Sequence, residues 1–221
     1  MQEMKVELLA YTKCATDIVD QAASLCVGKE PDGRSFKHAL ASGHDSVLEH
    51  VSYTFKVTDI SRACSHQLVR HRLASYSQQS QRYVKTDELE FVVPPTVHEK
   101  GAFKQYRELM QEIGDIYYKL LDMGVPQEDA RYVLPNACTT SIIITMNGRE
   151  LMHFFNLRCC NRAQWEIREL ANKMKKLCVL TEPELFKDAG PSCTKYGVCT
   201  EAKSCGKCPK ITDVMKEYHN L

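Results

Sequence analysis

Val51, Tyr53, Phe55 and Val57 alternate with Ser52, Thr54 and Lys56, and a period of two marks a strand buried on one face only. Around that strand the chain reads as helices alternating with isolated strands. Residues 5–11 form a short apolar strand, and 12–26 a helix with Ile18, Val19, Ala22 and Leu25 on one face. Pro31, Asp32 and Gly33 make a turn before a short helix over 35–41, which Gly43 caps. Asp59 or Ser61 opens a helix running to about residue 69. Residues 89–93 read as a strand stopped by Pro94 and Pro95. From 98 to 123 apolar residues recur at spacings of three and four, predicting one long amphipathic helix ended by Gly124. Its aromatic stripe reads as core or subunit contact. A further helix starts at Pro126 with Glu128 and Asp129 in its first turn. Residues 139–146 are a β-branched strand. Asn147 is a good N-cap for the next helix, and a last long helix runs from 163 to about 179.

At 221 residues the chain fits one domain with a small appendage. Its 29 basic and 28 acidic residues nearly cancel, which argues against a nucleic-acid protein relying on a bulk basic field. The first ten residues lack a basic region followed by a long apolar run, and no stretch has the length to cross a bilayer. The expectation is a soluble, cytoplasmic protein. Its 11 cysteines, an odd count without a secretion signal, point to thiols, metal or redox chemistry rather than a disulfide framework.

Residues 70–83 break the apolar pattern. Arg70, His71 and Arg72 are followed by almost nothing but hydroxyls, carboxamides and two tyrosines, so the stretch reads as a loop after a helix C-terminus. Arg, Ser and Gln at this density suit a polar ligand that carries phosphate. The helix C-terminus is electronegative and does not favour phosphate, which leaves the positive charge to the arginines.

Arg70-His71-Arg72 followed after seven residues by Ser80 resembles the signature of the flavin-dependent thymidylate synthases. Three further motifs follow the same order: Gly43-His44-Asp45-Ser46 with Glu49-His50, Ala130-Arg131 with Val133-Leu134-Pro135, and Asn147 to Arg158 leading into Ala163-Gln164-Trp165-Glu166-Ile167. Together they cover roughly residues 40–170. The resemblance implies an α+β fold (α/β-type) with a small antiparallel sheet flanked by helices, over residues 1–188, and a homotetramer with intersubunit active sites. It implies reductive methylation of dUMP to dTMP, with methylenetetrahydrofolate as carbon donor, FAD as hydride carrier and NADPH as reductant.

By the same resemblance the flavin contacts are Ser46, Arg70, His71, Arg72, Gln78, Asn147, Arg149 and His153, with His44 and Glu49 nearby. The nucleotide contacts are Gln67, Leu68, Val69, Arg70, Gln78, Gln79, Ser80, Gln81, Arg82, Arg131 and Arg158, and Arg158 acts on the uracil ring. An arginine on the N3 side stabilises negative charge on the ring and enriches C5 without a covalent adduct. Flavin carries the hydride, which no side chain can do. Two positions depart from the pattern: Ser77 and Gln78 stand where many members have Asn and Glu. Gln78 leaves open a flavoenzyme acting on another pyrimidine nucleotide. A third reading is a non-catalytic nucleotide- or RNA-binding protein with a zinc tail.

Residues 189–221 form a cysteine-rich tail. Cys193, Cys199, Cys205 and Cys208, with five, five and two residues between them, read as a thiolate site for zinc or an iron–sulfur cluster, against the alternative of free thiols in a flexible tail.

Overall fold

The computed structural model describes residues 3–83 and 88–219. One antiparallel sheet has the strand order β1-β2-β4-β3, formed by β1 (Lys5–Tyr11), β2 (Ser52–Ser61), β3 (Ala74–Gln78) and β4 (Thr139–Asn147). Helices α1 (Ala15–Cys26) and α2 (Ser35–Ala41) precede a 3-10 turn over Asp45–His50 and strand β2. Helices α3 (Arg62–Leu68), α4 (Pro95–Glu99), α5 (Phe103–Asp122) and α6 (Gln127–Ala130) lie between β2 and β4. Then come α7 (Gly148–Arg158), α8 (Trp165–Thr181), α9 (Pro183–Phe186), α10 (Ser192–Tyr196) and α11 (Ile211–His219). The α+β architecture expected from the sequence is the one found.

In β2 the odd residues Tyr53, Phe55 and Val57 are fully buried, but further along it is Ile60 that turns inward. Asp59 sits in the left-handed region at φ 62°, which shifts the alternation by one residue, as a bulge does. In β4 the buried set is Thr140, Ile142, Ile144 and Met146.

The chain divides into two compact units. The first comprises Met1–Lys5, Lys56–Arg70 and Tyr76–Ile143. Ser61, not Asp59, caps α3, its hydroxyl accepting from Cys64 N at 3.0 Å. The loop expected over 70–83 is in part the edge strand β3. Its inward positions are polar: Tyr76 donates its hydroxyl to Leu68 O at 2.9 Å, and Gln78 Nε2 donates to Ser65 Oγ at 2.9 Å. These bonds replace apolar burial, so the period is present but no hydropathy pattern shows it. Residues 89–93 make only an antiparallel bridge between Phe91 and Cys138. The long helix expected from 98 is split. Gly101, at φ 68°, ends α4 with Gly101 N bonded to His98 O and Ala102 N to Val97 O, the Schellman pattern that needs a left-handed residue. Helix α5 then starts at Phe103 and buries Met110, Gly114 and Tyr117.

The second unit comprises Val6–Phe55, His71–Ser75 and Ile144–Leu221. Its core stacks Tyr53, Phe55, Phe155 and Phe186, with Phe186 edge-on to Tyr53 at 5.3 Å between ring centres. Helix α1 has Cys14 at its N-cap with no capping side chain. The Glu182 carboxylate caps it instead, accepting from Ala15 N at 2.9 Å and the Thr16 hydroxyl at 2.6 Å. Asn147 caps α7 as expected, accepting from Glu150 N at 2.8 Å. Gly148 admits no side chain, because a Cβ there would lie 2.8 Å from both Leu48 O and Val51 Cγ2. Helix α8 begins at Trp165, two residues later than expected, where the Gln164 side chain accepts from Glu166 N and Ile167 N. It is the last long helix, as expected, and the shorter α9, α10 and α11 follow.

Candidate active site

In the second unit, His71 follows directly on Arg70 and is buried. Its two ring nitrogens are both engaged. Nδ1 lies 2.9 Å from Glu150 Oε1, itself on a buried carboxylate. Arg158 Nε donates to Nε2 at 3.0 Å. A guanidinium cannot accept, so Nε2 is unprotonated and the proton sits on Nδ1, donated to Glu150. Burial, then the nearby Arg158 and His153, push the His71 pKa down, against the pull of Glu150. The ring is therefore a neutral Nδ1–H tautomer that relays Glu150 to Arg158.

Helix geometry explains how one short segment does this. Glu150, Phe154 and Arg158 are spaced by four on α7 and share a face, with His153 three residues from Glu150. Phe154 meets the His71 ring edge-on at 4.9 Å, and His153 lies 5.8 Å from it. Among the described residues His71, Glu150 and His153 are the one set of three whose ligand atoms fall within 4.8 Å of one another. With both His71 nitrogens already bonded, this cluster is a hydrogen-bond relay rather than a metal site.

Nearby on the same helix, Arg149 pairs with Glu49, which ties the start of α7 to the 3-10 turn that bears Ser46. Ser46, His44, Arg72 and His153 are exposed. Thus the structure brings His71, His153 and Arg158 into one cluster and sets Arg149 beside the Ser46 turn, while Arg72 stands in solvent.

The first unit holds most of the expected nucleotide contacts. Arg82 donates through Nε and Nη2 to Glu128 Oε2, at 3.1 and 2.8 Å, and Arg131 Nε donates to the Glu128 carbonyl at 3.0 Å. Glu128 therefore gathers two arginines at the surface. Gln79, Ser80 and Gln81 line a cavity of about 230 Å³ with Arg62 and Tyr117. Arg62 Nη2 donates to Gln79 O at 2.7 Å, while its buried Nε has no partner among the described residues. Burial draws its pKa below the ordinary value. Arg70 and Val69 are exposed and Gln67 is half-buried. Leu68 differs: its side chain is fully buried and its carbonyl is taken by Tyr76, which makes it a core residue. Gln78 is held by Ser65 and Thr140.

Three participants were not legible as site residues. Glu128 reads from sequence as an acid suited to a helix first turn, and nothing local marks Glu150 or Arg62. Only their partners, distant in sequence, distinguish them.

A sequence model of the family described as "Thymidylate synthase complementing protein" matches residues 7–184. The chain belongs to this family. It is 49% identical to a flavin-dependent thymidylate synthase of Geobacter sulfurreducens over 97% of this chain and 99% of the relative. Identity to the enzyme of the same name from Clostridium tetani is 42%, over 96% of each chain. With that from Pyrococcus furiosus it is 42%, over 90% of each. The family assignment made from the four motifs is thereby established. Among the described residues no helix is long and apolar enough to cross a membrane.

Proposed function

We propose that the protein is a flavin-dependent thymidylate synthase that reductively methylates dUMP to dTMP. The observation that carries this reading is the 49% identity to a synthase of that name across nearly the whole of both chains. Methylenetetrahydrofolate is the carbon donor and NADPH the reductant.

The donor set suits a flavin dinucleotide. Exposed Arg72 and Arg149 offer charge for its phosphates, and Ser46, Asn147 and His153 offer hydrogen bonds for its ring. Arg70 and Gln78 complete the proposed flavin contacts. Bound FAD supplies the hydride transfer, which the side chains cannot. Arg82 and Arg131, preset on Glu128, hold the nucleotide phosphate, exchanging a weak exposed ion pair for a doubly charged partner. Gln67, Val69, Gln79, Ser80 and Gln81 provide the remaining polar and backbone contacts, and Leu68 contributes by fixing the backbone. Arg158 stabilises negative charge on the uracil, and the neutral His71 holds its Nε in place. His71 therefore acts on the flavin side by positioning, with no ring nitrogen to spare for the cofactor.

The catalytic domain spans residues 1–188 and acts in the cytoplasm as a homotetramer with intersubunit sites. The tail thiols hold zinc or an iron–sulfur cluster. The test is incubation of the purified protein with dUMP, methylenetetrahydrofolate, FAD and NADPH without oxygen. Formation of dTMP that requires all four supports the reading. No dTMP from a protein that binds FAD would point to another pyrimidine substrate.

A further inference from the structure

After Ala189, none of the tail residues whose burial is described is buried. Yet the segment is folded: α10 and α11 flank a bridge between Cys199 and Lys210, with Cys199 N bonded to Pro209 O at 2.8 Å and Ile211 N to Cys199 O at 2.9 Å. A segment with no buried apolar residue cannot offset the conformational entropy of ordering by hydrophobic burial, and small modules in that position rely on a crosslink or a metal.

The side chains indicate which. Cys193, Cys199, Cys205 and Cys208 all line one cavity of about 210 Å³, which Leu157 and Cys160, around the end of α7, also line. Sequence spacing cannot show this convergence. The turn is set by Gly206 at φ 80°, which bends the Cys205–Cys208 segment so that both sulfurs reach one volume. Arg162 anchors the tail, donating to Lys203 O and pairing with Glu201 at 3.3 Å.

We infer that the four tail cysteines form one thiolate-ligated metal centre that crosslinks the tail to itself beside the corner after Arg158. Four ligands is the number of a closed structural site. Each thiol that ligates loses its proton, so binding releases up to four protons and is weakened by acid. Zinc and an iron–sulfur cluster share this ligand chemistry. The inference deepens the reading of the tail given above and does not rest on the flavin or nucleotide assignments.

The test is metal content of the full-length protein purified without oxygen, with zinc, iron and acid-labile sulfide counted per chain. The expected result is one centre per chain, either one zinc ion and no colour or iron matched by sulfide with broad visible absorption. Cys199→Ser with Cys208→Ser should lose it, and Cys26→Ser, at an exposed cysteine outside the tail, should keep it. Should the double variant fail to fold, thiol labelling of the native protein decides. Chelator should raise the number of rapidly labelled thiols by four. Protein without stoichiometric metal, a double variant that retains it, or tail cysteines found in disulfides would overturn the inference. Because the readout is metal and not turnover, a colourless protein that fails to make dTMP could still hold the centre.

Discussion

Replacing Glu150 tests the relay through His71 most sharply. Glu150→Ala removes the acceptor for a buried Nδ1–H. Losing a buried hydrogen bond to a charged group costs about 1.5–3 kcal/mol, which for a chain of this size lowers Tm by roughly 3–12 °C. The larger consequence is tautomeric. Without Glu150 the proton is free to move to Nε2, where it faces the Arg158 Nε–H and breaks that bond. Turnover should therefore fall more than stability alone explains. Glu150→Gln keeps an acceptor and removes the charge that draws the His71 pKa upward.

The pH dependence follows with a definite sign. His71 has a folded pKa below its ordinary 6.5, so the folded state binds fewer protons than the unfolded state as pH falls below that value. Stability is complete above about pH 6.5 and declines toward acid. Protonation also removes the acceptor that Arg158 uses. In Glu150→Gln the charged imidazole is disfavoured further, so the acid limb of the pH–rate profile moves to lower pH. Urea denaturation, dTMP-forming rates across pH, and 15N NMR of the imidazole tautomer are the assays. Wild-type stability in Glu150→Ala, with the Nδ1–H tautomer retained, would refute the relay.

Arg82→Ala and Arg131→Ala should each raise the KM for dUMP about 10-fold or more, the scale of one lost charge-assisted contact. Steady-state kinetics read the KM, and absorption should show the flavin content unchanged. Gly148→Ala should destabilise the fold by about 1–3 kcal/mol through overpacking against Leu48 and Val51, measured by urea titration. Glu182→Ala should cost about 1 kcal/mol through loss of the α1 cap, visible as earlier proteolysis near residue 15.

What could be read from sequence was whatever shows as periodic burial or as a local cap. The buried residues of β2 up to Val57, the Asn147 cap and the Gly43 and Gly124 helix ends are of this kind, because each signal lies within a few residues. Strand β3 was hidden because Tyr76 and Gln78 turn inward through hydrogen bonds. The Gly101 break was masked by apolar spacing that runs on past it. Glu182 capping α1 from 167 residues away leaves no local trace. At the site, residue types and order identified the family, but the partners of His71 depend on how α7 is placed against residue 71, which no spacing rule contains.

The most direct test of the central claim is a comparison of the wild-type protein with Arg158→Ala, measuring bound flavin by absorption and dTMP formed per flavin without oxygen. The account predicts equal flavin in both and dTMP from the wild type alone. Equal dTMP from Arg158→Ala would contradict it, and so would a wild type that binds FAD, dUMP and methylenetetrahydrofolate yet forms no dTMP.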